Sequence, residues 1–143
     1  MTEDPSRGLP GDAPSTWLVR LLAAVFLGLG FLFILAPRAG ASLFGLPAPE
    51  GAGFGYLPAI GLRDLAFGLY LLILSFTATR RVLGLIFAAT VIIPVGDVVI
   101  VAMERGFEAV PNLLLHGASA AVMAGASLWL LAQASNDTTG GHP

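Results

Sequence analysis

Apolar runs of membrane-spanning length alternate with short polar breaks along this chain. The runs cover about 17–36, 55–76, 82–103 and 112–134. Each holds about 20 residues or more, enough for a helix to cross a bilayer. The breaks carry turn and stop residues. Pro37 ends the first run, Thr77-Ala78-Thr79-Arg80-Arg81 separates the second from the third, and Glu104-Arg105-Gly106-Phe107-Glu108 with Pro111 separates the third from the fourth. Residues 37–54 predict a Pro/Gly-rich loop. It stays apolar through Leu43, Phe44, Leu46 and Phe54, so it lies in the interface or folds over the helix ends. Ser15 or Thr16 is placed to cap the first helix. Trp17 and Arg20 suit a membrane interface.

The pattern predicts an all-α integral membrane four-helix bundle over 16–135. Polar tails at 1–15 and 136–143 are expected to be disordered, since they cannot bury enough apolar surface to offset chain ordering. Composition agrees. The chain has 143 residues, 56% hydrophobic and 11% charged, against about a quarter charged in soluble domains. A net charge of −2 gives no nucleic-acid signal. With no cysteine, disulfides and thiolate chemistry are excluded. All seven basic residues are arginine, a coding bias that suggests a GC-rich bacterial genome and hence a bacterial inner membrane. Ala39-Gly40-Ala41 looks like a signal-peptidase site. The run before it is longer than a signal core and Pro37-Arg38 intervenes, so a retained span is the preferred reading. With both termini on one side, that side holds Arg7, Arg20, Arg80 and Arg81, against Arg38 and Arg105 opposite. The positive-inside rule then puts both termini in the cytoplasm.

Four ionisable residues break the apolar runs: Arg63 and Asp64, Asp97, and His116. Each lies roughly 8–12 Å from its helix end at about 1.5 Å per residue. All four ends fall on one membrane face if the runs thread up and down. Each charge costs about 2.5–3.5 kcal/mol in hydrocarbon, so a shared layer in which they pair is expected, with Arg63 the counter-ion of Asp97. Gly61, Asp64 and Gly68 share a helix face that suits close packing. Arg63 sits about 100° away, with Phe67 and Tyr70. Thr90, Asp97 and Glu104 form a polar stripe, and Pro94 predicts a kink near Asp97. Asn112, His116, Ser119, Met123 and Ser127 form another stripe, beside a small-residue packing face at Gly117, Ala121 and Gly125. Asp64, Asp97 and His116 could ligate a transition metal, but no spacing motif supports this and Arg63 opposes a cation, so no metal and no cofactor are expected. Nucleotide-loop, metalloprotease and hydrolase motifs do not occur.

Phe33-Ile34-Leu35-Ala36-Pro37-Arg38, Gly61-Leu62-Arg63-Asp64-Leu65-Ala66-Phe67-Gly68, Pro94-Val95-Gly96-Asp97 and Leu115-His116-Gly117 together resemble a small four-span membrane family, domain of unknown function 4267, broadly similar to DoxX-like proteins. The resemblance covers about 17–134. It implies a four-helix membrane protein with Arg63, Asp64, Asp97 and His116 as signature polar positions, and it implies no reaction.

Whether the chain is an enzyme is left open. The first functional reading is a structural or accessory membrane protein whose polar layer fixes helix packing. The second is a cofactor-independent acid–base enzyme on a lipophilic small molecule, opening epoxides, isomerising or cyclising, with Asp64, Asp97, His116 and Arg63 as candidate catalytic residues. The third is a proton-coupled exporter, disfavoured because the first run holds no carboxylate. Expected partners are the lipid bilayer and, under the second reading, the lipophilic molecule. Nucleic acid is not expected, and a homo-oligomer is left open.

Overall fold

The structure is a computed structural model that describes residues 9, 11 and 13–139, with side chains up to 136. Six α-helices carry the fold: α1 (Pro14–Leu35), α2 (Pro37–Phe44), α3 (Tyr56–Thr77), α4 (Arg80–Thr90), α5 (Ile92–Arg105) and α6 (Val110–Thr139). Short 3₁₀ turns at Gly51–Gly55 and Gly106–Ala109 precede α3 and α6. Among the described residues, three stretches are long and apolar enough to cross a membrane: Pro14–Leu35, Gly51–Thr77 and Arg80–Asn136. The last doubles back at Gly106, where φ is +56° and ψ is −144°, a region open essentially to glycine alone. The architecture is thus a four-helix bundle whose third leg is α4 followed by α5.

The bundle is two antiparallel hairpins. α1 packs along α3, and α4 and α5 pack along α6. Close approach in the first hairpin rests on glycine. A Cβ at Gly61 would lie 2.6 Å from the Gly30 carbonyl oxygen, and one at Gly30 would lie 2.8 Å from that of Gly61. In the second hairpin, the Ser127 hydroxyl donates to the Gly84 carbonyl at 2.8 Å. Val19, Ala23, Leu71, Leu83, Phe87 and Leu130 form the main core near the pole of the two chain ends. A smaller cluster of Phe33, Ala41 and Leu57 lies at the opposite pole. Outside, Leu21, Phe31, Ile73, Ile92 and Leu128 are all exposed. Such a girdle far exceeds the apolar patch a soluble monomer tolerates, and lipid is its natural solvent.

The structure departs from the sequence reading at five places. Residues 37–44, expected as loop, form α2, with Pro37 in its first turn. Proline starts a helix as readily as it stops one, because its fixed φ fits the first turn and its missing N–H is not needed there. For the same reason α1 begins at Pro14, with no side-chain cap, and Ser15 and Thr16 are buried in its first turn. The break caused by Pro94 falls at Val91, between α4 and α5, and not beside Asp97. Pro94 cannot donate to the carbonyl four residues back, which is that of Thr90. Gly117, Ala121 and Gly125 are exposed, and added Cβ atoms at the two glycines would meet nothing within 4 Å. α6 instead packs through His116, Met123, Ser127 and Leu130. Leu9, from the segment expected as a tail, is buried against the main core. Residues 1–8, 10, 12 and 140–143 of the expected tails lie outside the described residues.

Candidate functional site

The site is built around the end of α2. A helix leaves its last four carbonyls without partners of its own, and in a helix of eight residues that is half the backbone. Gly45, with φ +105°, closes the turn by donating to Ala41. The remaining carbonyls go to side chains of the second hairpin. Asn112 Nδ2 donates to Ser42 O at 3.1 Å and to Leu43 O at 2.9 Å. His116 Nε2 lies 2.8 Å from Phe44 O, and Arg105 Nη1 donates to Gly45 O at 3.3 Å. Asn112 and His116 are four residues apart and so share one face of α6. The Phe44 ring meets the His116 ring edge-on, with centroids 5.1 Å apart.

This geometry assigns the histidine tautomer. A carbonyl oxygen only accepts, so Nε2 must carry hydrogen. The other nitrogen, Nδ1, lies 3.5 Å from Asp97 Oδ2. If neither group held a proton there, a ring lone pair would face a carboxylate. One proton on that side, giving imidazolium with carboxylate or imidazole with carboxylic acid, would make the pair neutral overall. Only 11% of the His116 side chain and 23% of that of Asp97 are exposed, so this neutrality matters.

Asp97 thus pairs with His116 and not with Arg63. The reason is tertiary: α5 lies along α6, whereas α3 lies along α1. Asp64 is half-buried and within electrostatic range of Asp97, but among the described residues it makes no ion pair. Arg63 is exposed, and among the described residues it has no ion-pair partner. Nor do His, Cys, Asp and Glu side chains come together in threes anywhere among the described residues, so Asp64 does not complete a ligand set with Asp97 and His116. Asn112 and Arg105 were not singled out as site residues from sequence. The shared face of Asn112 and His116 was visible, but their acceptors are backbone carbonyls of a segment read as loop.

Among the described residues, two cavities adjoin either the end of α2 or the candidate residues of α3. One, of about 1070 Å³, opens at the loop pole between Arg38, Ser42, Pro47, Glu104, Arg105 and Glu108. The other, of about 370 Å³, lies at the depth of the polar residues, against Phe26, Arg63, Asp64, Phe67, Tyr70 and Ile93. Neither is lined by Asp97 or His116.

Long lipid-facing helices around a sparse polar interior define a multi-pass integral membrane protein with one buried His–Asp pair. The chain belongs to the family described as Domain of unknown function (DUF4267), whose model matches residues 23–130, a range that includes all four candidate residues and Asn112. No curated protein and no solved structure matches it.

Proposed function

We propose that this is a structural or accessory membrane protein in which the polar network clasps α2 over the bundle. The observation that carries this reading is the use of the network's donors: Asn112, His116 and Arg105 are all spent on carbonyls at the end of α2. Groups committed to backbone atoms are poorly placed to serve as a mobile acid or base. An enzyme using all four candidates would need one cavity reaching them all. The cavity at Arg63 and Asp64 does not extend to Asp97 or His116.

The test is functional complementation of a deletion strain by a doubly substituted chain. His116→Leu with Asp97→Leu removes both ionisable groups at the clasp. Under the structural reading, a double variant that folds and inserts rescues the deletion phenotype. A folded, inserted double variant with no activity in cells would instead mark the pair as a working site.

The arginine bias further supports a cytoplasmic position for both termini, with α2 and the 106–109 turn on the outer side. Reporter fusions at residue 143 should then be active only as cytoplasmic reporters. Periplasmic activity would reverse the orientation.

A further inference from the structure

Arg63 presents a problem that the clasp does not solve. Its guanidinium is charged at any accessible pH. It sits about 10 Å from the start of α3, at about 1.5 Å of rise per residue, inside an apolar run. It is exposed on the lipid side and has no ion-pair partner among the described residues. Asp64 is its neighbour in sequence and lines the same cavity, but consecutive helical residues point about 100° apart, and no ion pair joins the two among the described residues. A lone cation at this depth costs about 2.5–3.5 kcal/mol. Helical side chains lean toward the helix amino end, here the nearer membrane face, so an anion arriving with the lipids of that leaflet can meet it.

Beside Arg63 the surface is a cavity and not a smooth helix face. Phe26 of α1 and Phe67 of α3 meet edge-to-face, with centroids 4.7 Å apart and rings at 81°. Together with Asp64, Tyr70 and Ile93 they wall the cavity of about 370 Å³. That volume is at the lower end of the range of about 300–1,000 Å³ for ligand pockets, suited to one hydrocarbon chain. The lining is apolar apart from Arg63, Asp64 and the Tyr70 hydroxyl, and Arg63 is the cation there that a chain bearing an oxyanion would meet. The planar guanidinium can bind carboxylate or phosphate oxygens in bidentate fashion.

We propose that this cavity binds a single anionic amphiphile, its oxyanion on Arg63 and its hydrocarbon chain against Phe26, Phe67 and Ile93. The anion comes either from a membrane phospholipid or from a free fatty acid, and the test separates the two. Native mass spectrometry of the full chain in dodecyl maltoside, titrated with phosphatidylglycerol, oleate or phosphatidylcholine, reads the binding directly. The wild type should take up one anionic molecule at least about tenfold more tightly than phosphatidylcholine, a difference of about 1.4 kcal/mol. Preference for phosphatidylglycerol assigns the site to the bilayer's own lipid, and preference for oleate assigns it to a free fatty acid. Arg63→Leu should abolish the preference and Arg63→Lys should keep most of it. Ile93→Trp fills the slot without touching the charge and should also weaken binding. A wild type without anionic preference overturns the proposal, as does an unchanged Arg63→Leu. An Ile93→Trp chain that binds like the wild type overturns it too, since the arginine would then be acting as a surface charge alone.

Discussion

His116→Leu is expected to be among the most damaging single substitutions in the bundle, at about 3–5 kcal/mol, the range for breaking a buried charged pair by removing one partner. It strands Asp97 in a half-buried position and takes the donor from the Phe44 carbonyl. Asp97→Leu should cost less, about 1–3 kcal/mol, since it leaves only the Nδ1 side of the ring unpaired. Asp97→Asn should be nearly neutral, within about 1 kcal/mol. The asparagine amide donates to a neutral Nδ1 while Nε2 keeps its bond to Phe44. The double leucine variant should recover the part of the loss due to the stranded carboxylate and keep the part due to the orphaned carbonyl. Thermal or denaturant unfolding in detergent gives all four values. A large loss in Asp97→Asn combined with rescue by Arg63→Leu would reinstate Arg63 as the partner of Asp97.

Gly61→Ala should separate the helices of the first hairpin. Its Cβ would lie 2.6 Å from the Gly30 carbonyl oxygen, 2.8 Å from Ile34 Cγ1 and 3.0 Å from Phe33 Cβ. The first of these is backbone and cannot step aside by changing rotamer. Overpacking of this kind costs about 1–3 kcal/mol, and Gly61→Ile should cost more. Gly117→Ala is the control. Nothing lies within 4 Å of its added Cβ, and alanine favours a helix over glycine by about 1 kcal/mol, so that variant should be as stable as the wild type or more so. Equal stability of Gly61→Ala and Gly117→Ala would show that the two hairpin helices do not depend on this contact.

Small residues thus sit in two stripes that look alike in sequence. Gly61 and Gly68 both meet α1, whereas Gly117 and Gly125 meet nothing within 4 Å. Spacing says that residues share a face, but not which face finds a neighbour. Asp97 and His116 show the same limit. Their common depth was readable from helix rise, because depth depends only on distance along one helix. Their pairing depended on α5 lying beside α6, which no local pattern records. Arg63, the partner expected from charge alone, belongs to the other hairpin and faces outward.

The sequence by itself determined the all-helical class, the four legs across the membrane and the polar residues inside them. Those follow from the run lengths, the breakers between them and the cost of charge in hydrocarbon. Each of these is a property of a single segment in a known solvent. Only the tertiary structure decided that 37–44 is a helix, that its carbonyls are capped from α6, and that Asp97 answers to His116. Hydrogen bonds to backbone carbonyls carry no residue signature on the acceptor side. A clasp made of them comes into view only once the two hairpins are placed together.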